Sequence, residues 1–215
     1  QAVTAIKTSN LSLEEALDIA KSQMSAGNFN ASAMVLIDIL NKCPEDFDAK
    51  HLLGISKFYL GEVDVAIELL EQAVSLPDAN AESFCNLGVF LAQKGEMEKA
   101  IDVFLKAIDI TPDKPDPYWN LSNAYLAIGH FEKAKEYAKK ALEYAPNSVE
   151  ALLNLGVAQL NLADINAAIE SWEKALEVQA DYLPALTNLS DAYRSKKWLN
   201  KAKKTAEKIV AIAPE

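Results

Sequence analysis

The sequence predicts an all-α solenoid of six tandem two-helix units, and three observations carry that prediction. Four stretches begin alike at intervals of 34 residues: NLGVFLAQKG from Asn86, NLSNAYLAIG from Asn120, NLGVAQLNLA from Asn154 and NLSDAYRSKK from Asn188. The period extends without insertion through units 13–46, 47–80, 81–114, 115–148, 149–182 and 183–215. The seven glycines keep to this register: Gly54, Gly88 and Gly156 at unit position 8, and Gly27, Gly61, Gly95 and Gly129 at position 15. The eight prolines do so too. Pro44, Pro77, Pro112, Pro146 and Pro214 close units, and Pro115, Pro117 and Pro184 open them.

Each unit reads as a helix, a turn and a second helix. In the third unit Phe84, Leu87 and Leu91 recur at helical spacing, followed by Met97, Ile101, Phe104 and Ile108. Glycine at position 15 ends the first helix, because it enters the left-handed region without steric cost. The closing proline stops the second helix from running on. Alanine holds position 20 in five units (Ala66, Ala100, Ala134, Ala168, Ala202) and position 27 in four (Ala73, Ala107, Ala141, Ala175). With Gly or Ser at position 8, these small residues let helices approach closely. Ala163 and Lys197 replace the position-15 glycine, and Asp78 and Ala180 replace the closing proline. Local strain or altered turns are expected there. Residues 1–12 form an N-terminal segment, with Ala5 and Ile6 falling where the tail of a preceding second helix would lie.

At these residues the chain resembles the tetratricopeptide repeat family, over residues 13–215. The match is fullest in unit 3, with Phe84, Leu87, Gly88, Ala100, Ala107 and Pro112. The resemblance implies a right-handed superhelix whose first helices line a concave groove, with positions 2, 5, 6, 9, 12 and 13 facing inward. Asn86, Asn120, Asn154 and Asn188 all hold position 6 and would form a ladder. A primary amide both donates and accepts, so such a ladder can pair with an extended peptide backbone with little regard to its sequence. Local hydrogen bonding by the same amides is the competing expectation. Positions 5 and 9 supply selectivity through His51, Trp119, Ile55, Val89, Asn123 and Val157. Trp119 is expected to anchor the ligand, or else to pack between repeats. Trp172 on a second helix is expected in the core.

Charge narrows the partners. Position 2 is acidic in five units (Glu14, Asp48, Glu82, Asp116, Glu150), while only Lys21 and Arg194 are basic at groove positions. A clamp for acidic peptide termini, as in chaperone-binding relatives, needs basic residues in successive units and is excluded. Net charge is −10, which disfavours nucleic acid. The units carry −4, −4, −2, 0, −5 and +4 in order. The lysines of the last unit (Lys196, Lys197, Lys201, Lys203, Lys204, Lys208) read as a solvated end face in preference to an anion site.

No catalytic or metal signature stands out. His51 and His130 are far apart in the array, Cys43 and Cys85 lack a partnered base, and no phosphate loop occurs. No cofactor is expected. Two cysteines make no disulfide framework, and there is no apolar run of about 18 residues and no signal peptide, so a cytoplasmic chain without a membrane span is expected. The sequence therefore predicts a non-catalytic protein-interaction scaffold that binds an extended peptide or partner segment. The alternative is the substrate-recognition array of a larger enzyme. The runs FCNLG, YWNLS, LLNLG and LTNLS look like the asparagine-laddered repeats of O-linked N-acetylglucosamine transferases. Self-association is also expected, through apolar residues left uncapped at the ends: Val3 and Ile6 at one, Ile209 and Ile212 at the other.

Overall fold

The computed structural model describes residues 11–213. Among these residues there are twelve α-helices and no strand. The chain divides into two compact units between Ile110 and Thr111. The first holds α1 (Leu13–Ser25), α2 (Phe29–Lys42), α3 (Phe47–Tyr59), α4 (Val63–Val74), α5 (Ala81–Lys94) and α6 (Met97–Ile110). The second holds α7 (Pro115–Ala127), α8 (Phe131–Tyr144), α9 (Val149–Asn161), α10 (Ile165–Val178), α11 (Leu183–Ser195) and α12 (Leu199–Ile212). Each 34-residue repeat supplies one helix pair, and within each compact unit consecutive helices pack in series. Residues 1–10 and Pro214, with the expectations placed on Val3, Ala5 and Ile6, lie outside the described residues. Ile209 is half-buried and Ile212 is exposed.

Helix starts follow from residues just before each first helix. The Ser12 side chain accepts from the Glu15 N–H while Glu15 accepts from the Ser12 N–H, a reciprocal capping box. Asp46, Asn80 and Ser148, each the last residue of its repeat, cap α3, α5 and α9 through the same side-chain bond. Pro115 and Pro184 open α7 and α11, where a missing N–H costs nothing. α4 is two residues shorter than the other second helices, in keeping with Pro77, which stands one register position earlier than the other closing prolines. Ala180 replaces a closing proline, yet α10 still ends at Val178.

The turn at position 15 is left-handed in all six repeats. Gly27, Gly61, Gly95 and Gly129 have φ of 75°, 82°, 90° and 76°, and Ala163 and Lys197 follow at 65° and 59°. The turns are therefore unaltered, and the two substituted residues bear the strain. A non-glycine residue there costs about 1–2 kcal/mol.

Packing explains the position-8 glycines. A Cβ on Gly88 would stand 2.5 Å from the Phe104 ring, and one on Gly156 would overlap the Trp172 indole. Trp172 is fully buried, as expected, and its indole N–H donates to the Leu153 carbonyl at 3.2 Å. The alanines at positions 20 and 27 are buried throughout. α12 is held less firmly, since Ala202 and Thr205 are its only buried residues. A polar clasp supports it. Tyr193 Oη donates to Glu173 Oε1 at 2.6 Å, and Lys201 Nζ donates to the same oxygen at 3.0 Å, tying α10, α11 and α12. Burial and the Glu173 carboxylate push the Tyr193 phenol well above its ordinary range.

Two stability changes of opposite sign are expected in chemical denaturation. Gly156→Ala destabilises by about 1–3 kcal/mol, through overpacking against Trp172. Lys197→Gly and Ala163→Gly each stabilise by about 0.5–1 kcal/mol, the relief of left-handed strain less the extra freedom of unfolded glycine.

Candidate peptide-binding site

The residues expected to bind lie on first helices, and each compact unit carries its own set. In the first, α3 provides His51 and Ile55, and α5 provides Asn86 and Val89. His51 is buried, Ile55 and Asn86 are half-buried, and Val89 is exposed. Asn86 Nδ2 lies 3.0 Å from His51 Nε2, a bond across the repeat boundary from position 6 to position 5. For the amide to donate, Nε2 must carry no proton, so the imidazole is neutral with its hydrogen on Nδ1. Burial supports this by holding the His51 pKa below its ordinary value of 6.5, against the opposing pull of Glu82 and Asp48. Protonation would set two donors face to face and force the amide to turn.

In the second unit, α7 provides Trp119, Asn120 and Asn123, α9 provides Asn154 and Val157, and α11 provides Asn188. Asn154 is buried, and its Nδ2 donates to the Trp119 carbonyl at 3.1 Å. This bond also runs from position 6 to position 5 of the repeat before. Trp119 is half-buried, and its indole N–H donates to Asp116 Oδ1 at 3.3 Å. Asn120, Asn188 and Val157 are half-buried, and Asn123 is exposed. The first-helix acids Glu14, Asp48, Glu82, Asp116 and Glu150 are all exposed in the first turns of their helices.

Sequence reasoning passed over an aromatic group in the first unit. Tyr59, 63% exposed, stacks on Phe29 with ring centres 4.5 Å apart, and Phe58 stacks on Phe90 at 3.8 Å. His51, Ile55 and Tyr59 are spaced by four residues and so share one stripe of α3. The signal was there, since positions 12 and 13 belong to the inward face that the repeat pattern implies. Among the described residues no group of His, Cys, Asp or Glu is placed to hold a metal ion. Cys43 is exposed and Cys85 half-buried. No helix among them is long and apolar enough to cross a membrane.

Comparison with known proteins settles the family. A TPR repeat model matches residues 90–129, and tetratricopeptide repeat models match residues 115–148, 137–170 and 183–215. The chain belongs to the tetratricopeptide repeat family. Among solved structures it is similar to the MamA protein, at 26% identity and a TM-score of 0.69, covering 78% of this chain and 92% of that one. It is also similar to Pseudomonas aeruginosa pilF, at 19% identity and a TM-score of 0.82, over 94% and 91% of the two chains. A third likeness is to YrrB, described as a TPR protein with an unusual peptide-binding site, at 18% identity and a TM-score of 0.68, over 80% and 89%. The last two show the repeat fold alone. A search of curated proteins gave no match.

The amide bonds make two measurable predictions. Asn86→Ala and Asn154→Ala should each lower stability by about 1–3 kcal/mol in urea, since each strips a part-buried acceptor of its donor. A histidine kept neutral by burial also makes stability depend on pH. Below about 6.5 the unfolded chain takes up a proton that folded His51 refuses, so stability falls as pH drops through that value. The fall should be smaller in His51→Gln, as thermal melts across pH would show.

Proposed function

We propose that this tetratricopeptide repeat chain is a non-catalytic scaffold that grips an extended peptide segment along its first-helix faces. The observation that carries the reading is the recurring amide at position 6, braced in two repeats against position 5 of the preceding first helix. One N–H of Asn86 and of Asn154 makes that brace, and each amide has an oxygen and a second N–H besides. A braced amide loses less side-chain freedom when it meets a ligand than a mobile one does. Asn120, Asn188 and Asn123 add further amides, with Trp119 and Tyr59 as apolar anchors. The exposed first-turn acids favour a neutral or basic segment. The description of YrrB as peptide-binding, and the general use of such repeats to hold protein partners, support the same reading. The alternative of a transferase substrate array rests on the runs FCNLG, YWNLS, LLNLG and LTNLS alone.

A randomised peptide library bound to the purified chain provides the test. Asn120→Ala with Asn188→Ala should weaken capture of varied sequences alike, by about 0.5–1.5 kcal/mol per lost bond. Trp119→Ala should change which sequences are preferred. If all three substitutions leave capture unchanged while the fold is intact, the ligand does not sit on this face.

A further inference from the structure

We propose that the turn between α11 and α12 docks on an anionic phospholipid surface. Residues 192–206 (AYRSKKWLNKAKKTA) contain Arg194 and five lysines, in a chain whose net charge is −10. Arg194, Lys201 and Lys203 pair with Asp191, Glu173 and Glu207, which leaves Lys196, Lys197 and Lys204 without an ion pair among the described residues. At the centre of this run Trp198 is 41% exposed and Leu199 is 70% exposed. Lys196 Nζ lies 5.7 Å and Lys201 Nζ 5.2 Å from the Trp198 ring centre, so both ammonium groups stay beside the indole.

The register makes Trp198 conspicuous. Position 16 is polar in the other five repeats, as Asn28, Glu62, Glu96, His130 and Asp164. Lys197, next to Trp198, holds the left-handed position that glycine holds in four repeats. Trp198 lies against the Tyr193 ring, with ring centres 5.9 Å apart, and still leaves 41% of its surface exposed, where a merely solvated lysine face would need no tryptophan.

The local shape selects among anionic partners. The hollow beside Trp198, about 530 Å³, is lined among the described residues by the consecutive residues 197–201. Among the described residues it has no second wall to enclose a peptide, whereas protein hot spots are desolvated pockets. Tryptophan beside a leucine, ringed by lysines, instead suits a flat boundary with an apolar interior and a charged surface. Tryptophan favours the headgroup layer, and lysines near an anionic leaflet add attraction within a Debye length of about 8 Å. At that range the acidic repeats farther along the chain are screened, and the attraction rests on the cations not paired with Asp191, Glu173 or Glu207.

The test is co-sedimentation of the full chain with phosphatidylserine-rich vesicles and with pure phosphatidylcholine vesicles. Binding is expected only to the former, falling as salt rises, with a blue shift of tryptophan emission that Trp198→Phe abolishes. Lys196→Ala with Lys197→Ala should weaken it roughly thirtyfold. Trp198→Ala with Leu199→Ser should weaken it about as much, with far-UV circular dichroism unchanged. Three results would overturn the proposal: no binding to phosphatidylserine at low salt, binding untouched by both double substitutions, or binding to polyglutamate but not to vesicles. The last would make the turn a site for acidic proteins.

Discussion

The structure depends on one close approach, repeated along the chain: position 8 of a first helix against position 24 of its partner. Gly54 meets Leu70, Gly88 meets Phe104, and Gly156 meets Trp172. Where the facing side chain is an aromatic ring, a Cβ on the first helix has no room. The absent Cβ leaves room that the large facing side chain fills. Alanines at positions 20 and 27 permit the same closeness along the second helix.

This explains which features could be read from the residues and which could not. Gly and Pro mark backbone requirements that are local, so helix number and turn positions were legible before any contact was known. The left-handed turns at Ala163 and Lys197 were less so, because neighbouring helices impose them against intrinsic preference. The amides were half legible. Their recurrence at position 6 drew attention to the first-helix face. Their bonds to His51 and to the Trp119 carbonyl depend on how one repeat sits on the next, which no local signal encodes. Tyr59 was missed for a different reason, since its importance comes from stacking on Phe29 of the preceding repeat.

Binding and architecture share side chains. An amide that braces two first helices holds its remaining polar atoms in place, so proposed ligand groups and stabilising groups coincide at Asn86 and Asn154. Substitutions there carry two effects at once, whereas Asn123, exposed on α7, sits outside this overlap. Neutral His51 belongs to the same set, because burial that suits packing also favours the uncharged imidazole its partner needs.

The Tyr193–Glu173–Lys201 clasp bears on how the molecule opens. In repeat proteins stability is a sum of local terms, so segments exchange and fray separately. α12 contributes just two buried residues, which puts its free energy of opening at the low end of the chain's range. The clasp ties that opening to α10 and α11 through a single carboxylate. Amide hydrogens of α12 would therefore exchange faster with solvent once acid protonates Glu173, whose carboxyl lies below its ordinary range despite the opposing effect of burial, coupling a breathing motion of one helix to the loss of a charge on another.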